Sequence, residues 1–202
     1  MSLWLEPQAL VLASQSAARR ALLEAAGIPI EVRPAELDER TIERRSRDAG
    51  TGELAVLLAR EKAAAVPGLT AGRLVLGADQ ILGLDAERFA KPADRSAARD
   101  QLRALRGRTH SLYSGLAVLR GRDIVFEHVA VATLTMRPFT DRFLEIYLDA
   151  MGDAVTASVG AYQVERLGAH LFEQIEGDHS TILGLPLLPL LAFLRREGFL
   201  AQ

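Results

Sequence analysis

Two short runs with no polar residue, at 9–13 and 74–78, constrain this chain more than any other feature. A run of about five apolar residues bounded by turn signals reads as a buried strand. The first run is followed by the polar stretch Ser14-Gln15-Ser16. An Ala- and Leu-rich segment at 16–26 comes next, with Leu22, Leu23 and Ala26 at helical spacing and Gly27 as a stop. The opening unit is therefore strand, short turn, helix. Residues 29–33 suggest a second strand. Residues 33–52 are charged and aperiodic, and predict an exposed segment with a short helix at most.

A helix is expected over 53–65, closed by Pro67 and Gly68. The strand at 74–78 is expected to end at Asp79, with 81–84 continuing as strand or turn. Asp94 can cap a helix over 96–105, which Gly107 ends. Residues 112–119 and 124–136 read as an antiparallel pair joined near Gly121. Thr140 caps a helix over 141–151. A late strand at 171–175 and a closing helix at 186–197 complete the order. Strands and helices alternate early, a long β pair follows, and helix and strand return. A mixed β-sheet with helices on both faces, an α/β fold, is the class this order predicts. No repeat or linker marks a sharp boundary, so 1–202 reads as a single domain.

With 202 residues the chain can bury a sizeable core. Formal net charge is -2, so nothing marks the whole chain as a binder of nucleic acid or of a membrane surface. There is no cysteine, which excludes disulfides, thiolate metal sites and a cysteine nucleophile. The start Met1-Ser2-Leu3-Trp4 has no basic stretch followed by a long apolar run, and no apolar stretch is long enough to span a bilayer. A cytoplasmic protein is expected. The histidines His110, His128, His170 and His179 have no helical i, i+4 pair. That argues against a zincin-type site, and neither a P-loop nor a G-x-S-x-G elbow is present.

Five constellations remain. Ser14, Ser16 and Arg19 lie between strand and helix, where hydroxyls, backbone N–H groups and a guanidinium form an anion site. The alternative is that a serine caps the helix while Arg19 and Arg20 face solvent. Asp79, after the apolar run, can hold a divalent metal or accept a proton from water; the alternative is a turn aspartate. Glu39, Lys62 and Lys91 are each ordinary surface charges when taken singly. Together they supply cations for phosphate oxygens and carboxylates for a metal. Gly160-Ala161-Tyr162-Gln163-Val164-Glu165 offers small residues that permit close approach of a ligand, with Glu165 able to read a base edge; an ordinary turn with one exposed acid is the alternative. Glu176-Gly177-Asp178 with Gly184-Leu185-Pro186 reads as scaffold.

Taken in order, these pieces resemble the Maf family of nucleotide pyrophosphatases. The residues carrying the resemblance are the run from Leu12 through Ser14, Ser16 and Arg19 to Leu23, then Glu39, Glu61-Lys62-Ala63 and Gly77-Ala78-Asp79-Gln80. Lys91-Pro92, Gly160-Ala161-Tyr162, Ile175-Glu176-Gly177 and Gly184-Leu185-Pro186 follow. The resemblance implies two lobes around a cleft, similar to inosine triphosphate pyrophosphatases. It implies hydrolysis of a nucleoside triphosphate to a monophosphate and pyrophosphate, with a divalent cation such as magnesium, manganese or cobalt. Asp79 falls on the family's proton acceptor, and Ser14, Arg19, Glu39, Lys62 and Lys91 fall on its polar site positions. Glu39 and Asp79 would hold the metal.

The base-tracking positions fall on Ala18, Gln80 and Glu165. The Gln80 and Glu165 pair resembles the branch acting on 7-methyl-GTP, which implies a role in clearing modified nucleotides. The branch acting on dTTP and UTP would have Thr and Gln there. Ala18 departs from that first branch's aromatic, Ala17 from a proline and Ala90 from a glycine. A homodimer is the family expectation. The reading from a different class is a nucleotide-binding regulator of cell division with little turnover.

Overall fold

The structure is a computed structural model that describes residues 2–67 and 72–202. In chain order its elements begin β1 (Leu10–Leu12), α1 (Ala17–Ala25), β2 (Ile30–Val32), α2 (Glu39–Arg45), α3 (Thr51–Ala64), β3 (Leu74–Leu84) and β4 (Glu87–Phe89). They continue α4 (Arg95–Leu105), β5 (Thr109–Arg120), β6 (Asp123–Met136), α5 (Asp141–Met151), β7 (Phe172–Glu176), α6 (His179–Ile182) and α7 (Leu187–Arg196). The predicted order of strands and helices is found. Gly68, expected to help close α3, lies outside the described residues. Three elements differ from expectation: β3 does not end at Asp79 but runs on to Leu84, and neither β4 nor the short α6 was expected.

The strand order is β2-β1-β3-β5-β6-β7, with β4 on β3. β1 pairs parallel with β2 and β3, whereas β4 pairs antiparallel with β3 and β7 with β6, so the sheet is mixed. The chain forms two compact units, each assembled from separated pieces. The first comprises the chain up to Asp79, Ser114–Ala130 and His179–Gln202. The second comprises Gln80–Tyr113 and Val131–Asp178. Because both are discontinuous, no single cut in the sequence separates them.

In the first unit, side chains alternate along each strand between two apolar layers, as the period of a β-strand requires. Leu10, Leu12, Leu74, Leu76, Leu116 and Val118 pack with Leu23 of α1 and Leu190, Phe193 and Leu194 of α7. Val11, Val75, Ala117 and Leu119 pack with Ala59 and Ala63 of α3. Helices therefore cover both faces of the sheet in this unit. The α3 face is dominated by small residues. A Cβ at Gly77 would lie 1.9 Å from the Ala59 carbonyl oxygen, and one at Gly115 would lie 2.4 Å from the Ala55 carbonyl carbon. Both glycines thus let the α3 backbone rest directly on β3 and β5.

Local chemistry sets the helix ends. Ser16 caps α1, its Oγ accepting from the Arg19 N–H. At the other end Gly27, at φ +71°, donates to the Glu24 carbonyl, and Ile28 to that of Leu23. The Glu53 carboxylate accepts from the Gly50 N–H at the start of α3. Asp94 and Thr140 cap α4 and α5 as expected. In the second unit α4 and α5 are laced by Arg99 to Glu145, Arg95 to Asp149 and Arg106 to Asp141.

Candidate active site

The turn between β1 and α1 is held from within. Ser14 Oγ accepts from the Ser16 N–H and from Arg19 Nη1, both at 3.2 Å. Arg19 is 9% exposed, so it does not face solvent as one alternative had it. Its Nε donates to the Gly184 carbonyl at 2.7 Å and its Nη1 to the Ala78 carbonyl at 2.8 Å. Arg20 is the exposed one, paired with Glu24 one helical turn on. Much of the Arg19 fork is therefore spent on carbonyls rather than offered to phosphate. Burial lowers the pKa of this guanidinium, and the charges of Asp79 and Glu39 oppose that shift. The N–H groups of Ala17 and Ala18, in the first turn of the capped α1, find no acceptor within the helix and donate no hydrogen bond among the described residues.

Arg19 ties three segments together: the α1 turn, the residue before Asp79, and the turn before α7. A lysine there has one charged nitrogen on a flexible stem and cannot span the three acceptors. We expect Arg19→Lys to cost about 2–4 kcal/mol of stability, because buried carbonyls lose charge-assisted donors. A urea unfolding midpoint unchanged from the parent would show that this tie carries no stability.

Asp79 is buried within β3, on the same face as Val75 and Gly77 and towards α3. Lys62, in the last turn of α3, places Nζ 2.5 Å from Asp79 Oδ1 and 2.9 Å from Glu39 Oε1. Glu39 opens α2, a helix with no buried residue, capped by Asp38. Burial raises the Asp79 pKa above the usual aspartate value, Lys62 and Arg19 hold it back, and Glu39 adds to the rise. Two carboxylates from distant parts of the chain thus converge on one cationic point beside a buried guanidinium. Among the described residues no group of three or more His, Cys, Asp or Glu gathers as a metal cluster. Glu39 and Asp79 are the pair that suits a divalent ion whose other ligands are waters and phosphate oxygens, the usual habit of magnesium.

Gln80, Lys91 and Glu165 belong to the second unit. Gln80 is partly buried, while Lys91 and Glu165 are exposed. Glu165 makes no hydrogen bond or ion pair among the described residues. One expectation is corrected there. Gly160 and Ala161 are buried, and the space a Cβ would take at Gly160 is filled by the Tyr162 ring and Leu82. The small residues make room for the protein's own side chains, not for a ligand. Sequence reasoning also missed the buried His110–Tyr162 pair, 2.7 Å between Nε2 and the hydroxyl. A tyrosine within a Gly-Ala turn was the one signal available.

The profile described as Maf-like protein matches residues 9–197. This chain belongs to that family. A Maf relative from Rhodopseudomonas palustris (strain BisB5), named nucleoside triphosphate pyrophosphatase, is 60% identical over 99% of both chains. One from Rhizobium meliloti (strain 1021), named 7-methyl-GTP pyrophosphatase, is 44% identical over 94% of this chain and 96% of its own. The solved structure of a HAM1 protein from Coxiella burnetii aligns with 63% of this Maf chain and 72% of its own, at 17% identity and a TM-score of 0.36. No helix among the described residues is long and apolar enough to cross a membrane.

Proposed function

We propose that this Maf protein is a nucleoside triphosphate pyrophosphatase, releasing a nucleoside monophosphate and pyrophosphate. The observation that carries the proposal is the meeting of Lys62, Asp79 and Glu39 beside the β1–α1 turn's side chains. Such a set does what phosphoryl transfer asks of a protein, which is positioning and charge neutralisation with one group able to take a proton. Asp79, made more basic by burial, accepts the proton of the attacking water. Lys62 steadies the charge that develops on the phosphate oxygens. The free amides of the α1 N-terminus hold phosphate, with Ser14, Ser16 and Arg19 shaping the turn that presents them. Magnesium, manganese or cobalt would be held by Glu39 and Asp79, and would supply Lewis-acid neutralisation of the triphosphate. Lys91 is assigned a second neutralising role on the family resemblance.

A guanine nucleotide is the proposed substrate, with 7-methyl-GTP the first candidate. Glu165 can accept from guanine N1–H and the amino group together, a pattern uracil and thymine lack. Gln80 accompanies it, as the resemblance implies. The more similar relative carries the general name and the less similar one the 7-methyl-GTP name. Ala18 provides no ring to stack on a methylated, cationic base. GTP is therefore an expected substrate beside 7-methyl-GTP.

Pyrophosphate release with magnesium from 7-methyl-GTP, GTP, dTTP, UTP and CTP at equal concentration tests both levels. We expect the two guanine nucleotides to lead. Preference for dTTP or UTP would keep the chemistry and overturn the base assignment. No release from any would overturn the enzymatic reading in favour of a nucleotide-binding regulator.

A further inference from the structure

Residues 158–168 form a turn held at nearly every step. Gly160, at φ +76°, donates its N–H to the Gln101 side-chain carbonyl at 3.1 Å. Ala161 sits at φ +60°, a left-handed conformation that an alanine adopts only when its surroundings hold it there. Its carbonyl accepts from the Tyr147 hydroxyl at 3.1 Å. The Tyr162 carbonyl accepts from Ser158 Oγ at 2.5 Å. The Tyr162 side chain is buried, with its ring edge-on to Phe172 at 4.8 Å and its hydroxyl bonded to His110. Burial drives the His110 pKa down to about 4, so the imidazole in this bond is neutral at physiological pH.

From Tyr162 the chain turns back on itself. The Arg166 N–H reaches the Gln163 carbonyl at 3.1 Å, and a Cβ at Gly168 would lie 2.4 Å from that same oxygen. The turn is thus closed tightly at its base, and Glu165 stands exposed at its tip without a partner among the described residues. An acid left uncommitted on a rigidly built turn is preorganised for a ligand. The backbone's ordering cost has been met in folding, so that binding has only the rotamers of the carboxylate side chain left to fix.

We propose that Tyr162, braced by His110, is a positioning residue for base recognition, fixing the turn that presents Glu165. This rests on the reading of Glu165 as the guanine reader. Tyr162 touches neither base nor phosphate in this scheme; it acts through the placement of the carboxylate. Its loss should therefore weaken discrimination between bases and leave the triphosphate chemistry common to all nucleotides largely intact.

The test is kcat/KM for GTP and for UTP in the parent, Tyr162→Phe, Glu165→Gln and the double variant. We expect the GTP-to-UTP ratio to fall about fivefold in Tyr162→Phe, the scale of one hydrogen bond's placement. It should fall further in Glu165→Gln, and the double variant should match Glu165→Gln alone. A Tyr162→Phe enzyme slowed equally on both nucleotides would overturn the proposal, since that is what a merely structural loss produces. Independent, multiplicative effects in the double variant would also overturn it. A ratio untouched by Glu165→Gln would remove the Glu165 reading itself, and this inference with it. Should Tyr162→Phe not fold, Tyr147→Phe, which releases the Ala161 carbonyl from the same turn, is judged by the same ratios.

Discussion

Asp79→Asn is expected to cut pyrophosphate release by about a thousandfold or more, within the span a positioned general base contributes, without lowering the melting temperature. The two halves of that expectation have one cause. Burial makes ionised Asp79 uncomfortable, and this is the largest influence on its raised pKa, ahead of the opposing charges of Lys62 and Arg19. A carboxyl whose pKa is raised on folding contributes stability that is fully present below its unfolded pKa. That contribution is lost as pH rises through the folded pKa. At neutral pH the parent therefore carries the cost of a buried charge, and the asparagine variant does not. Lys62 keeps Glu39 as a partner at 2.9 Å, and the asparagine carbonyl can still accept from it.

The stability difference in favour of Asp79→Asn should open as pH rises and close below about pH 4, near the ordinary aspartate value. Thermal melts from pH 3 to 8 read this directly. In the same series the acidic limb of the parent's kcat/KM profile should lie above the ordinary carboxylate range, and it should be missing from whatever activity the variant retains. A variant that turns over normally would remove Asp79 from the mechanism. One that is inactive and also much less stable at pH 8 would show that the carboxylate is held for structure.

How much of this was legible in the sequence differs from residue to residue. The alternation of strands and helices was readable because their periods differ, and the Ser16, Asp94 and Thr140 caps because capping chemistry is local. Asp79 was recognisable as a candidate, but its place was read as a strand end. The pattern breaks there in polarity while burial continues, since Lys62 and Arg19 compensate a carboxylate inside a covered strand. Lys62 could not be told from the other cations until α3 was laid on β3. The partners of Arg19 are the backbone carbonyls of Ala78 and Gly184, and carbonyls leave no mark in a sequence. His110 and Tyr162 meet across 52 positions. No short-range pattern connects them, which is why a turn with a lone exposed acid was a fair alternative for that segment.

Gly77→Ala carries the second large effect, and it concerns distance rather than charge. Gly77 is needed for space. The added methyl would sit 1.9 Å from the Ala59 carbonyl oxygen and 2.9 Å from the Ala63 N–H nitrogen. Both are backbone atoms of α3, so no side chain can swing aside, and the helix must move by more than an ångström. We expect a loss of about 3 kcal/mol or more, at the upper end of overpacking costs in a dense core.

The site should suffer beyond that loss. Ala63 follows Lys62 on α3, and Gly77 and Asp79 share one face of β3, so lifting the helix draws Nζ away from Oδ1. Pyrophosphate release should fall by about tenfold or more at temperatures where the variant is fully folded, because charge neutralisation depends steeply on placement. Gly27→Ala is the control. Its Cβ meets nothing within 4 Å, so only the cost of φ +71° applies, about 1 kcal/mol, with turnover unchanged. Adding Ala59→Gly should not rescue Gly77→Ala, because the obstructing atom belongs to the main chain. Rescue by that second change, or a folded Gly77→Ala enzyme with parental kcat, would show that the spacing of α3 from β3 does not set the Lys62–Asp79 contact.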